Sequence, residues 1–464
     1  MIIGHSMTDR EKIRQIIKKR GFKVYFIGIG GISMSSLAKM SEERGASVYG
    51  SDIRKSAATV ELERLGICIK YVQKRTNILE IAPDIAVYSL SISADNPEYR
   101  TARELGITLV SRAEYLGALM ADYSVRIGVS GSHGKSTTTA MLGEALRSAG
   151  LFPTVLCGAE ISSGIGYARG GNGYLVYEAC EYGDSFLRLA PSVQIILNAD
   201  LDHTDYFSGA DELCNSFLAA ANLAEKFTVI NADDGNLKKI IPRIAADTVT
   251  YSVSDGADFK YRITDENNGK FGFSLTGDGA EYNFQLGIAG RFNVENAVAA
   301  AICAIKLGAS ERAIYDAVSQ FSGIPRRLER LGNRAGIDIF YDYAHHPREI
   351  DAVYGALIDM GYKNICTVFA PHTYSRTKAL LSDFAKALSK FRAAYITDIY
   401  GARESAVVGV SSALLADAVR HEGGSAYALA GADSIDKIFK EGYDCLVLMG
   451  AGDLEKIKKK TEDF

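Results

Sequence analysis

The sequence predicts an α/β protein of three domains built on parallel sheets. Three observations carry that prediction. Apolar, strand-like runs alternate with stretches of helical spacing along most of the chain, the pattern of a parallel sheet covered on both faces. The alternation restarts near residue 121, at ADYSVRIGVSGSHGKS, and near residue 325, at GIPRRLERLG. At 464 residues the chain also exceeds what one hydrophobic core usually serves. The predicted domains are therefore 1–120, 121–324 and 325–464.

The first domain opens with KVYFIGIGG, a strand running into a glycine turn, and continues with the helical SMSSLAKMSEERG. SVYGSD and IAVYSL are further strands. In GIGGIS, Gly28 and Gly30 fit the first two glycines of the dinucleotide-binding turn, Gly31 follows, and Ser33 takes the third position. Asp52 closes the next strand, where that turn's ribose-binding acid is expected. The arrangement fits a Rossmann-like domain for NAD, FAD or a nucleoside diphosphate, and equally a turn that only packs helix against strand.

The second domain begins with the alternation Val125, Ile127, Val129, then GSHGKSTTT, then the helical spacing of Met141, Leu142, Ala145 and Leu146. A strand, a tight turn and a helix start follow from it. Small residues let the backbone N–H groups of Gly131, Ser132, His133 and Gly134 approach an anion, and the helix dipole favours negative charge there. Val129 occupies the place where the longer phosphate-loop pattern needs glycine, so the motif is the shorter G-x-x-G-K-S. On a phosphate-binding reading Lys135 reaches a terminal phosphate and the Ser136 hydroxyl a Mg²⁺, with Thr137 next in line. Support comes from acids beyond two later strands. YLVYEACEYGDSFL places Glu178, Glu181 and Asp184, and VQIILNADLDHTDYF places Asn198, Asp200, Asp202, His203 and Asp205. Parallel sheets bind ligands beyond their strand carboxyl ends, and hard oxygen donors with phosphates suit Mg²⁺–ATP. Between about 245 and 286, TVTYSV, FKYRIT, GKFGFSL and AEYNFQL are short strands parted by Asp, Asn and Gly, which predicts a small antiparallel insert. The third domain returns to alternation, with strands IDIFYD, NICTVFA, AAYITDI and DCLVLMG.

Bulk properties exclude several classes. A net charge of −4 gives no footprint for nucleic acid. No uncharged apolar run is long enough to span a membrane, and the charged first twenty residues are unlike a signal peptide. The seven cysteines form no C-x-x-C pair, so a reduced cytoplasmic protein with buried thiols and no zinc site is expected.

Taken in order, GSHGKSTTT, EACEYGDSFL, NADLDHTDYF, GRFNVENAVAA, GIPRRLE, YDYAHHP and PHTYSRT resemble the Mur ligase family. The N-terminal FIGIGGISMSSLA, GSDI, DNPE and SRAEYL fit the same family, so the resemblance runs from about residue 22 to 454. It implies a Rossmann-like N-terminal domain for a UDP-sugar, a central P-loop-like ATPase domain and a Rossmann-like C-terminal domain that closes over both. Among its members the chain is most similar to those that join L-alanine to UDP-N-acetylmuramate for peptidoglycan, with ATP and Mg²⁺, as monomer or homodimer. The resemblance places the phosphate loop on Gly131, Gly134, Lys135 and Ser136, metal ligands on Glu178 and His203, and adenine-contacting amides on Asn293 and Asn296. It brings Arg327 to the nucleotide phosphates across a hinge at 321–327. Asp342, Tyr343, His345 and His346 face nucleotide and amino acid. His372 and Arg376 follow, with Arg376 on the alanine carboxylate or a substrate phosphate. His203 also borders the sugar site formed by Gly28, Gly30, Gly31 and Asp52. The implied chemistry makes an acyl phosphate, which the amine attacks; His345 or Asp342 takes the proton.

Three places depart from the family's pattern: Ser33, the segment CIKYVQKRTN at 68–77, which lacks an expected Gly-His pair, and Thr373 in place of a common Arg. FLA at 217–219 predicts no carbamylated lysine. Two alternatives remain open: a ligase that recycles a murein tripeptide onto the same sugar nucleotide, and a dinucleotide-binding protein with no ligase chemistry.

Overall fold

The computed structural model describes residues 7–162, 164–202, 206–402, 404–429, 432–452 and 454–462. The first sheet is parallel, in the order β3-β2-β1-β4-β5. Its strands are β1 (Lys23–Ile27), β2 (Ser47–Ser51), β3 (Cys68–Lys70), β4 (Ile85–Tyr88) and β5 (Thr108–Ser111). The continuous apolar run of β1 is buried along Val24–Ile27, as a central strand covered on both faces must be. The helix Ile32–Glu43 leaves directly from the glycine turn after β1. Strands β3 and β5 were not expected from the sequence: at three and four residues, partly exposed, they are too short to display a period.

The second sheet uses β6 (Val125–Ser130), β7 (Pro153–Ile161), β8 (Gly164–Ala168), β9 (Gly171–Glu178), β10 (Val193–Ile196) and β11 (Phe227–Asn231). Their order is β11-β10-β6-β9-β7-β8, with all neighbours parallel except β7 and β8. Central β6 lies between β10 and β9, so the turn after it opens beside the carboxyl ends of both, where ligands of such sheets bind.

After β12 (Thr248–Ser252), strands β13 (Phe259–Asn267), β14 (Lys270–Gly277) and β15 (Ala280–Ala289) form an antiparallel ribbon. The expectation of an antiparallel insert needs one correction. Tyr251 and Ser252 of β12 pair in parallel with Phe259 and Lys260, so β12 is not one of its antiparallel strands. The last sheet joins β16 (Glu329–Arg334), β17 (Ile337–Asp342), β18 (Ile365–Ala370), β19 (Ala393–Ile396), β20 (Ala426–Ala428) and β21 (Cys445–Gly450), in the order β16-β17-β21-β18-β19-β20. Only β16 runs antiparallel. Its faces carry two apolar clusters, one around Phe340, Phe369 and Phe384, the other around Tyr341, Val368 and Leu448.

Two compact units result. One holds the chain up to Ala199 with Cys214–Thr250 and Ile302–Ser310; the other holds Asp200–Leu213, Tyr251–Ala301 and the chain from Glu311. The first sheet and the strands β6–β11 belong to the first unit. No disulfide joins the cysteines. Five are buried and Cys180 is half-buried, but Cys68 is exposed, which corrects the expectation of uniformly buried thiols: its strand β3 lies at a sheet edge.

Candidate active site

In the first unit, Gly131–Gly134 turn the chain from β6 into the helix Lys135–Ser148. Gly134 is left-handed at φ 84°, a conformation costly for any other residue. Asn198, just past β10, clamps the turn. Its Oδ1 accepts from His133 N at 2.8 Å, its Nδ2 donates to His133 O at 3.2 Å, and its carbonyl accepts from Ser132 N at 3.2 Å. The Lys135 side chain folds back over its own loop. Nζ donates to Gly131 O at 2.5 Å, Ser132 O at 3.1 Å and Glu181 Oε1 at 3.0 Å. Burial works against the ammonium, but Glu181 foremost, then Cys180 and Glu178, outweigh it and hold the Lys135 pKa above its ordinary value. Ser136 and Thr137 are buried in the first helical turn.

Glu178 closes β9. Its Oε1 accepts from Gly158 N at 2.5 Å and from the Cys157 thiol at 3.2 Å, and that thiol also faces Ser136 O at 3.6 Å. A Cβ on Gly158 would stand 2.7 Å from Glu178 Oε2, so only glycine leaves the carboxylate in place. Glu178 and the Ser136 hydroxyl are hard oxygen donors of the kind Mg²⁺ takes. Among the described residues no group of three His, Cys, Asp or Glu side chains could hold a metal. His203, and Asp205 with it, lies outside the described residues. Asp184 accepts from Ser216 Oγ.

The glycine turn after β1 is tied to β2. Gly28 N and Ile29 N donate to Ser51 O, and Gly30 N donates to Asp52 Oδ2 at 2.9 Å. Asp52 thus braces the turn; Gly31 N returns to Gly28 O. Ser33, one turn on, lines a cavity of about 20 Å³ with Arg112, Cys157, Gly158 and Glu178, so the first helix adjoins the carboxylate of the phosphate site. In the departing segment, Gln73 bridges Ser51 Oγ at 3.3 Å and Asn96 Nδ2 at 2.7 Å. Asn77 donates to buried Glu98 at 2.6 Å.

The second unit carries a separate cluster. Asp342 ends β17 with both oxygens occupied, by Leu328 N and Ala344 N at 2.7 Å each. Burial raises its pKa to about 6, against the pull of Arg327. The Arg326 and Arg327 guanidiniums lie over the Tyr343 ring, 4.5 Å and 5.3 Å from its centre. His345 Nδ1 lies 2.9 Å from Tyr343 O and 3.3 Å from Glu349 Oε2. Burial lowers the His345 pKa. The next residue, His346, caps the helix Pro347–Asp359, its Nδ1 accepting from Arg348 N. The His345 and His372 rings meet edge to face at 5.9 Å. Burial, His345 and Arg376 together lower His372 to about 4. Arg376 donates from Nε and Nη2 to Asp202 Oδ1 at 3.1 and 2.7 Å, and its Nη1 lies 3.1 Å from His372 Nδ1. Both side chains of that ion pair are about nine-tenths buried. Thr373 caps the short helix that carries Arg376, at a strained φ of 66°. Arg348 pairs with Asp200. Asn293 and Asn296 are buried and linked, Asn296 Nδ2 donating to Asn293 Oδ1 at 3.1 Å, and Asn293 Nδ2 donates to Ala289 O at 2.7 Å.

The first unit therefore gathers Lys135, Ser136 and Glu178, with the first glycine turn leading towards them. The second gathers Asp342, Tyr343, His345, His372 and Arg376. Three participants escaped the sequence reading. Cys157 and Gly158 carry no motif. The partnership of Asp202 with Arg376 joins residues 174 positions apart, and no local pattern announces it.

Known proteins resemble the chain along nearly its whole length. Three family models match: the Mur ligase family catalytic domain at residues 23–124, the Mur ligase middle domain at 129–304, and the Mur ligase glutamate ligase domain at 326–452. A UDP-N-acetylmuramate–L-alanine ligase of Caldanaerobacter subterraneus subsp. tengcongensis is 40% identical over 89% of this chain and 90% of its own length. One of Caldicellulosiruptor bescii is 40% identical over 84% and 86%. Among solved structures, the UDP-N-acetylmuramate–alanine ligase MurC of Thermotoga maritima superposes with a TM-score of 0.80 at 26% identity, covering 94% of this chain and 97% of its own. A murein peptide ligase of Psychrobacter arcticus shares the fold, with a TM-score of 0.71 at 22% identity and 95% and 98% coverage.

Proposed function

The chain belongs to the Mur ligase family, and from that premise we propose that it joins L-alanine to the lactoyl carboxylate of UDP-N-acetylmuramate, using ATP, in peptidoglycan precursor synthesis. The relatives that are 40% identical along nearly their whole length carry this reading. The half-buried Lys135 beside the phosphate loop supplies its chemical basis.

A carboxylate acylates an amine poorly. The substrate carboxylate oxygen therefore attacks the γ-phosphorus of ATP. That O–P bond forms as the bond to the ADP oxygen breaks, leaving an acyl phosphate. The alanine amine then adds to the acyl carbon, and the tetrahedral adduct expels phosphate to leave the amide. Negative charge gathers on the phosphoryl oxygens in the first step, where Lys135 would meet it at the start of the helix; Ser132 N and His133 N are already engaged by Asn198. Glu178 and Ser136, with His203, would hold a Mg²⁺, which when bound offsets phosphate charge.

Of the two candidate bases the geometry favours His345. Hydrogen bonding of Nδ1 to Tyr343 O leaves Nε2 as the acceptor, and the lowered pKa keeps the ring neutral. Asp342 has both oxygens engaged by backbone N–H groups; it positions the loop and Arg327. Arg376 would meet the alanine carboxylate while it shares Asp202. Asn293 and Asn296 would contact adenine. Gly28, Gly30, Gly31 and Asp52 would take the UDP-sugar. The enzyme acts in the cytoplasm, as monomer or homodimer; among the described residues no helix is long and apolar enough to cross a membrane. Phosphate release from ATP with UDP-N-acetylmuramate, scanned over amino acids and the murein tripeptide, tests the reading. Release with L-alanine is expected; release with glycine, serine or the tripeptide but not alanine overturns the substrate.

A further inference from the structure

The segment at 68–77 meets a chain of hydrogen bonds inside the first unit. Glu98 is fully buried. Its Oε1 accepts from the Tyr25 hydroxyl at 2.7 Å and from Asn77 Nδ2 at 2.6 Å, and its Oε2 accepts from Ser51 Oγ. A carboxylate only accepts, so the single hydroxyl proton of Ser51 is committed to Glu98. On its other side Ser51 Oγ can only accept, and it does so from Gln73 Nε2 at 3.3 Å. Asn96 holds the second atom of the same carboxamide. Its Oδ1 is taken by the N–H groups of Glu98 and Tyr99, capping the helix Pro97–Glu104. Its Nδ2 then faces Gln73 and donates to Oε1 at 2.7 Å. Turned over, the Gln73 amide would set an acceptor against a hydroxyl with no proton to give, and a donor against an NH2 with no lone pair. Both bonds would be lost, so the network fixes which atom is nitrogen and which is oxygen.

This amide stands beside the first glycine turn. The Ser51 carbonyl accepts from Gly28 N and Ile29 N of that turn. Gln73 itself follows the end of β3, which pairs with β2. In parallel sheets of this kind the phosphates lie at the glycine turn and the ribose at the acid closing the second strand. The base then falls beyond that acid, on the side of β3. Gln73 keeps one N–H and one Oε1 lone pair uncommitted. Uracil offers a carbonyl oxygen beside its N3–H, a match for that pair. Cytosine offers an amino group beside a bare N3, the reverse pattern.

We infer that Gln73 selects uracil over cytosine in the sugar nucleotide, its carboxamide held in the uracil-reading orientation by Ser51 and Asn96. The inference rests on the UDP-sugar reading of the first domain and adds to it a residue that reads the base. Ser51, Asn96 and Glu98 are positioning residues behind it.

The test is phosphate release by the full-length protein at saturating ATP and L-alanine, inhibited by UDP or by CDP in competition with UDP-N-acetylmuramate. Saturating ATP keeps either diphosphate off the phosphate loop. The readout is the ratio of the two inhibition constants. The parent should prefer UDP by about tenfold or more, the scale of one matched pair of hydrogen bonds to a base; equal inhibition overturns the inference. Gln73→Met keeps the length without the hydrogen bonds and should bring the ratio near one by weakening UDP. A merely structural role would weaken both diphosphates alike and leave the ratio at the parent's value, which also overturns it. Asn96→Asp keeps the acceptor that caps the helix but offers Gln73 no donor, so the ratio should fall there too; an unchanged ratio overturns the inference even if Gln73→Met does not fold. Absence of inhibition of the parent by either diphosphate would instead overturn the UDP-sugar reading beneath it.

Discussion

The phosphate loop of the first unit and the histidine corner of the second are both buried polar clusters, and they treat charge in opposite ways. At the loop, carboxylates overrule burial and keep Lys135 cationic. At the corner, burial prevails and drives His345 and His372 towards neutrality, with Arg376 adding to it. On the proposed function, the difference matches what each would do. Gripping phosphate needs a standing positive charge. Taking a proton from an amine needs an unprotonated lone pair at neutral pH. The loop is also assembled from one short stretch plus two strand ends, whereas the corner rests on ion pairs between distant segments, Asp202 with Arg376 and Asp200 with Arg348.

The contrast breaks most visibly at Lys135. Lys135→Ala should lower phosphate release by about 10³-fold or more, the scale of lost charge stabilisation in a transition state; turnover near the parent's would remove the loop from the chemistry. His345→Gln should cost roughly 10²–10⁴-fold in kcat, the usual worth of a general base, with little change in the KM for ATP. A KM effect as large as the kcat effect would merge the two clusters' tasks. Arg376→Met removes the ion pair of the buried Asp202 carboxylate and should destabilise the protein by about 3 kcal/mol, measured by denaturant unfolding; Asp202→Asn in the same chain should recover part of the loss.

The smallest effect is in pH. His372, lowered from 6.5 to about 4, contributes stability that is complete above pH 6.5 and is lost as pH falls towards 4. Asp342, raised from 3.8 to about 6, does the reverse: its ionisation costs stability as pH climbs from 3.8 to 6. The two slopes oppose each other over nearly the same window. His372→Gln should therefore expose a stability that declines from about pH 4 to about pH 6, and Asp342→Asn one that rises. Equal slopes in both variants and the parent would show that neither group titrates as its surroundings dictate.

Much of this was legible beforehand where structure is local. A run such as KVYFI can only be a buried strand, and GSHGKS can only be a tight turn into a helix, because burial and backbone freedom are written in adjacent residues. Strands of three or four residues such as β3 and β5 were not, since a period needs length. At the site, Lys135 and Glu178 stood out by type and position, and the YDYAHHP loop only through the family resemblance. Asn198 was visible as a residue beyond a strand, but not as the clamp on the turn. Cys157, an acid's thiol donor, and Gly158, whose missing Cβ leaves that acid room, look like ordinary residues of an apolar strand. Their roles exist only after β7 and β9 are laid side by side.

The uneven exposure of the cysteines also provides a clock. Cys68 is open at a sheet edge, Cys180 is half-covered next to the Lys135–Glu181 pair with its thiol made less acidic by burial, and the other five are enclosed. A maleimide dye should therefore label one site in the first domain quickly and a second slowly. Occupation of the neighbouring loop would slow the second reaction further, so that labelling rate alone would report nucleotide residence without a fluorescent ligand.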